Sequence, residues 1–239
     1  MKLFAFLSLL RLCVSIPSSP KMTTPHRFPG NECFVHSQTV NRMWRKNRQT
    51  QPGSPCVGRD LNRNWDAHWN STGGAATRPC RSTYRGEKPL DAPETRALAK
   101  QLEAIQARQG IRLFIDWHAF GQLVMYPYSH TCTTHLPPFS TTRWLGHELA
   151  SAMSTPHGTP YRAGAACELL PYRASGDSAD WALDMLGADH AYTVELRPGL
   201  RGRTGAAAAG FRLPEGQIRG VGEEAWEGVR RVLGFVHRY

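Results

Sequence analysis

The sequence predicts an α/β domain, because apolar runs of strand length alternate with amphipathic stretches of helical length and glycine or proline marks their junctions. Such alternation calls for one sheet covered by helices on both faces, with functional groups gathered where strands end. A chain of 239 residues, 41% of them hydrophobic, suffices for a single core of ordinary size.

The chain opens with Lys2, an apolar stretch from Leu3 to Leu10, Arg11 and a second apolar run up to Pro17. This pattern predicts a secretory leader over 1–16, with a buried amino-terminal strand as the alternative. It is shorter than the roughly 20 residues a bilayer span requires, so no membrane partner is expected. Pro, Ser and Thr dominate Pro17 to Pro29 without apolar periodicity, which predicts a linker or disordered lead-in over 17–33 and a globular domain over 34–239. Asp91 is positioned to cap a helix from Ala92 to Arg108, with Pro93 and Glu94 in its first turn and Gly110 ending it. Ile111 to Trp117 reads as a buried strand that ends at His118. Helices are predicted from Thr141 to Met153 and from Ser178 to Leu186, then a strand from His190 to Leu196 and a closing amphipathic helix from Val221 to Val236.

The formal net charge of +10 favours anionic partners, yet only Arg42, Arg45, Lys46 and Arg48 cluster, and no aromatic–basic repeat accompanies them. Nucleic acid is therefore not an expected partner. Six cysteines fit an oxidising compartment, although spacing alone does not give their pairing. With Cys13 inside the leader, Cys33, Cys56, Cys80, Cys132 and Cys167 form an odd set, which leaves one thiol without a partner in the mature chain. Asn70-Ser71-Thr72 is a glycosylation sequon in a Gly-rich stretch and agrees with secretion, extracellular or vacuolar.

Several residues point to chemistry. Glu195 places a carboxylate inside an apolar strand, which is costly unless the group is paired, held by a metal or used as an acid or base. His118 ends the other inner strand; taken alone it reads as a satisfied core or surface histidine more readily than as a ligand. Asn62 and Arg63 set an amide beside a guanidinium, a pairing suited to gripping a carboxylate through charge-assisted hydrogen bonds, although in isolation a surface arginine in a turn is the simpler reading. Arg42 and Arg45, with Trp44 between them, fit either a solvated basic patch or an anion site, and Tyr172 sits in a Pro-Tyr-Arg-Ala-Ser-Gly loop.

Taken in order, NRMWRK (Asn41 to Lys46), CVGRDLNRNWD (Cys56 to Asp66), IDWHAFGQ (Ile115 to Gln122), YRASGDSADW (Tyr172 to Trp181), TVELR (Thr193 to Arg197) and GFRLP (Gly210 to Pro214) resemble the zinc metallocarboxypeptidases of the carboxypeptidase A and B type. The resemblance runs from about Phe34 to the C-terminus. It implies a mixed, largely parallel sheet and a monomeric peptide hydrolase that acts on peptide or protein C-termini with one zinc ion. By the same resemblance His118 is a zinc ligand, Glu195 is the general base that takes a proton from the attacking water, and Arg45 stabilises the oxyanion. Asn62 and Arg63 hold the substrate carboxylate, Tyr172 closes over it, and Arg42 lies at its entry or at an outer subsite. Ala179 stands where basic-specific members carry an acidic residue, which implies apolar or aromatic C-terminal side chains; Asp177, two residues earlier, favours Lys or Arg if it faces the pocket and is otherwise a helix cap. The resemblance also pairs Cys56 with Cys80 and Cys132 with Cys167, which leaves Cys33 alone.

The sequence departs from the family in one central respect. The family's other two zinc ligands come from a His-x-x-Glu motif upstream of the Trp-Arg-Lys segment, and no histidine of this chain is followed three residues later by glutamate. His26 and Glu32 do not match the spacing. The amino-terminal part of the family's catalytic domain is thus expected to be missing, with weak zinc binding, impaired hydrolysis and an open sheet edge as consequences, and a non-catalytic binder of peptide C-termini as the alternative. Arg201 to Ala209 reads as an inserted surface loop.

Overall fold

The computed structural model describes residues 3–7, 31–137, 140–200 and 210–236. His26, most of the expected lead-in and the Arg201 to Ala209 insertion lie outside them. In chain order the elements are β1 (Leu3–Leu7), α1 (Asn31–Thr39), a 3-10 turn at Leu61–Arg63, α2 (Pro93–Gln109), β2 (Ile111–Ala119), β3 (Leu123–Tyr126), α3 (Thr141–Ser154), β4 (Arg162–Ala165), α4 (Ala166–Leu169), α5 (Ser178–Asp184), β5 (His190–Leu196) and α6 (Ile218–Val236).

The strands form one five-stranded sheet in the order β1-β2-β5-β3-β4. Chain direction reverses once, between β5 and β3; the β1/β2, β2/β5 and β3/β4 pairs are parallel. The expected mixed, largely parallel sheet is therefore present. Side chains alternate across it, as the two-residue strand period demands. Phe114 and Ala191 join Leu61, Trp65, Leu102 and Trp181 on the face covered by α2 and α5. Leu113, Ile115, Tyr192 and Val194 join Leu145, Leu149, Met153 and Val232 beneath α3 and α6.

Some boundaries differ from expectation for identifiable reasons. Ala92, not Asp91, is the N-cap of α2. The Asp91 carboxylate is instead held by Arg59 Nε (3.0 Å), Asn64 Nδ2 (2.7 Å) and the Glu87 backbone N–H (3.0 Å), so long-range partners took the group that local pattern assigned to a cap. His118 lies within β2 rather than past its end, and α1 begins at Asn31, inside the expected lead-in. The segment expected as a leader contributes β1, which runs parallel along β2 from Leu3↔Ile111 to Leu7↔Asp116. The outer edge of β2 is accordingly hydrogen-bonded, not open.

Two disulfides match the pairing implied by resemblance: Cys56–Cys80 and Cys132–Cys167. Closing loops of 24 and 35 residues, each contributes stability of about 3 kcal/mol by restricting the unfolded chain. Cys33 is disulfide-bonded as well, which corrects the expectation that it stands alone.

Candidate active site

A cleft opens where the sheet changes direction, lined by Arg45, Asn62, Arg63, His118, Tyr172, Asp177 and Glu195, with Met125, Ala166 and Leu170 as apolar wall. Two strands supply its floor. His118 on β2 is the register partner of Glu195 on β5, so both project from the same face of adjacent strands. Gly121 packs directly against Glu195: a Cβ there would sit 3.2 Å from the Glu195 Cβ, tighter than ordinary van der Waals contact.

The wall comes from the loop around the 3-10 turn, which is zipped to the segment preceding α5. Trp65 N donates to Gly176 O (2.9 Å), Gly176 N to Ala67 O (3.0 Å), and Ser178 N to Asn62 Oδ1 (2.8 Å). Gly176 is required here: its φ is +65°, and a Cβ would lie 2.5 Å from Arg63 O. Asn64 fixes the loop from behind. Its Nδ2 reaches Asp91 Oδ1, Arg85 O and Lys88 O, while its Oδ1 accepts from Ala92 N and Thr95 Oγ1, a complete set for a fully buried amide. Asp60 then orients two parts of the site, accepting from Asn62 N (3.1 Å) and from Arg45 Nε (2.8 Å).

Hydrogen bonding within the cleft is incomplete. Glu195 Oε2, Arg63 Nε and Asp177 Oδ2 are buried with no hydrogen-bond partner among the described residues. His118 Nε2 lies 2.7 Å from Asp116 Oδ2 and 3.1 Å from Asn62 Nδ2. With the carboxylate as acceptor, Nε2 carries a proton, so the Asn62 amide finds no lone pair there and remains a donor for a ligand. Asp116 is held in turn by Ser178 Oγ (2.6 Å). Sequence reading missed Asp116 and Ser178. The signal was present in Asp116, a carboxylate in an apolar strand like Glu195, but its partner lies on a distant helix.

Electrostatics follow from this geometry. Burial raises the Glu195 pKa, although His118, Arg45 and Arg63 pull it back. For His118, burial acts downward, and the adjacent Asp116, with Glu195, outweighs it and raises the imidazole. The Asp60 carboxylate, 2.8 Å from Arg45 Nε, raises the guanidinium. Asp177, buried and close to Asp180, is pushed up to about 7.

Of the sequence-predicted residues, Arg45, Asn62, Arg63, His118, Tyr172 and Glu195 come together, with the half-exposed Tyr172 ring at the mouth. Arg42 is exposed and is not part of this lining. Ala179 is not part of it either; it packs in the core with Leu61, Trp65 and Trp181. Asp177 does both things weighed for it: Oδ1 caps α5 by accepting from Ala179 N and Asp180 N, and the residue lines the cleft.

A histidine that donates one ring N–H to a carboxylate is oriented as metal ligands usually are, so the Asp116–His118 pair fits a single ligand position for zinc. A catalytic zinc takes three protein ligands, and among the described residues no group of three or more His, Cys, Asp or Glu side chains is arranged to hold a metal. The residues described do not by themselves fit the ion.

Comparison with known proteins agrees with this geometry. Residues 34–228 match the family model of the zinc carboxypeptidases. Metallocarboxypeptidase A of Arthroderma otae is 42% identical over 200 residues, covering 84% of this chain and 45% of the relative. Carboxypeptidase A2 of Rattus norvegicus is 38% identical over 203 residues, covering 85% and 45%. The chain thus spans a little under half the length of these curated relatives. Among solved structures, bovine thrombin-activatable fibrinolysis inhibitor in complex with tick carboxypeptidase inhibitor superposes with a TM-score of 0.77 at 32% identity, covering 86% of this chain and 66% of that one. Carboxypeptidase A of Helicoverpa armigera gives 0.71 at 28%, covering 85% and 48%. On the family-model match over residues 34–228, the sequence identities and the shared fold, the chain belongs to the zinc carboxypeptidase family.

Proposed function

We propose that the protein acts on peptide C-termini as a secreted metallocarboxypeptidase, and that the residues of this chain alone support recognition far better than turnover. The single observation that carries the reading is the convergence of unsatisfied buried groups, Arg63 Nε and Glu195 Oε2, with the Asn62 amide in one cleft. In it, Asn62 and Arg63 bind the terminal carboxylate and the Arg45 guanidinium faces the scissile carbonyl. Glu195, raised in pKa by burial, takes the proton of the attacking water and passes it to the leaving amine. Zinc, when bound, supplies Lewis-acid activation of water and carbonyl. Among the described residues, His118 fits one of the three ligand positions such an ion needs. Secretion is supported by the disulfides, and no described helix is long and apolar enough to cross a membrane.

Apolar or aromatic C-terminal side chains fit the Met125, Ala166 and Leu170 wall. A second preference, for Lys or Arg, is favoured by the unpartnered Oδ2 of Asp177. A second function, binding without hydrolysis, is favoured by the lack of a His-x-x-Glu pair in the sequence.

One set of measurements tests these readings. Calorimetry with peptides ending in Phe or Lys, each as free acid and as amide, is expected to show binding of acids only; equal affinity for amides would remove the carboxylate cradle. Release of C-terminal residues that zinc stimulates and Glu195→Gln lowers by about 10²–10⁴-fold supports the enzyme. Tight acid-specific binding with no turnover at saturating zinc supports the binder.

A further inference from the structure

The loop enclosed by Cys56–Cys80 carries a surface turn that catalysis does not use. Ser71 N donates to His68 O (2.9 Å), closing a turn with Trp69 and Asn70 at its tip, and Asn70 is exposed. Arg85 clamps this tip. Its Nη1 donates to Trp69 O (2.9 Å), its Nη2 donates to Asn70 Oδ1 (2.8 Å), and its guanidinium carbon lies 4.1 Å from the centre of the Trp69 ring. The Asn70 amide is thereby held by its oxygen, and none of the hydrogen bonds among the described residues uses its Nδ2. Beside it runs an open groove of about 390 Å³ lined by Asp66, His68, Trp69, Asn70, Ser71 and Pro89. An indole ring next to acidic and imidazole groups suits a sugar, which presents C–H faces and hydroxyls together.

Asn70-Ser71-Thr72 has the acceptor sequence for N-linked glycosylation. We infer that Asn70 carries an N-linked glycan whose first N-acetylglucosamine lies in the groove beside Trp69. The inference rests on the secretion proposed above. In the transfer, Nδ2 forms a bond to C1 of the reducing-end sugar of a polyprenyl-pyrophosphate oligosaccharide as the bond from C1 to the pyrophosphate oxygen breaks. The polyprenyl pyrophosphate leaves with that electron pair, and one amide proton passes to a base of the transferase. Oδ1 is not consumed, so it remains available as the acceptor for Arg85 Nη2 after modification.

The full chain is expressed in a eukaryotic secretory host twice, with its own N-terminus and behind an appended cleavable leader. The peptide containing Asn70 is then weighed before and after glycosidase treatment that converts a glycosylated Asn to Asp. The expected result is a glycan mass that this treatment removes, absent from both Asn70→Gln and Thr72→Ala. Leader-directed protein that is secreted with Cys56–Cys80 closed but with Asn70 bare overturns the inference. If the leader-directed form is glycosylated while the form with its own N-terminus stays inside the cell and bare, the secretion reading fails and overturns the glycan on the native protein with it, whereas a bare Asn70 on secreted protein overturns the inference by itself. The seat is read separately by hydroxyl-radical footprinting after trimming to one sugar. Trp69 is expected to oxidise several-fold more slowly than in Asn70→Gln, and equal rates overturn the placement.

Discussion

Two carboxylates at the end of the same sheet have opposite fates. Glu224 on α6 is fully buried and fully engaged: Arg197 bonds it through Nε (2.9 Å) and Nη2, and Tyr161 OH donates to it at 3.0 Å. Glu195 lies two residues before that arginine, yet its buried Oε2 has no hydrogen-bond partner among the described residues. Burial of an unpaired polar oxygen costs about 1–3 kcal/mol, so a fold that satisfies Glu224 completely and leaves Glu195 wanting separates a structural site from one kept for a ligand. The cleft repeats the pattern in Arg63 Nε and Asp177 Oδ2, whereas Asn64, immediately behind it, has every hydrogen-bonding position filled.

The contrast is sharpest in stability. Glu224→Ala strands the Arg197 charge and is expected to cost about 3–5 kcal/mol in urea unfolding, while Glu195→Gln, which keeps the side chain's shape and alters a carboxylate whose Oε2 has no hydrogen-bond partner among the described residues, is expected to stay within about 1 kcal/mol of the parent. A similar loss in both would erase the distinction. Next, Arg63→Ala is expected to weaken peptides with a free carboxylate by about 2 kcal/mol, roughly thirtyfold in Kd, and to leave their amides unchanged; a matched loss for acids and amides would assign Arg63 to the scaffold. The smallest effect concerns pH. Asp177 and Asp180 both rise from 3.8 to about 7 through burial. Since their folded pKa values exceed the unfolded ones, the stability they contribute is complete below about pH 4 and is lost as pH rises through about 7. Asp177→Asn keeps the Oδ1 cap but cannot ionise, so its Tm should fall less than the parent's between pH 5 and 8, in a scan by circular dichroism. An unchanged slope would exonerate Asp177.

How legible this was in the sequence depended on the range of the interactions. The strand from His190 to Leu196 was found at both ends, because an apolar run bounded by polar residues needs only local pattern. The short strands β3 and β4 were not anticipated: Leu123–Tyr126 is buried on both faces and shows no alternation, and Arg162–Ala165 is mostly small residues. Asp91 misled because Arg59 and Asn64, distant in sequence, outbid the helix end for its carboxylate. In the site, Glu195, His118, Asn62 and Arg63 were legible as unusual residue types in apolar or turn contexts. The Asp116–Ser178 contact was not, since it joins β2 to α5 across 62 residues. Ala179 and Arg42 were placed by resemblance alone, and the cleft is lined without either.

The pairing of His118 with Glu195 on neighbouring strands makes the sheet a ruler. The spacing between their backbones is a rung of the hydrogen-bond ladder, about 4.8 Å, set by peptide geometry and not by side-chain packing. Substitutions at either position change which atoms are presented, but the graduation between them stays constant. Whatever molecule spans both must be cut to that measure.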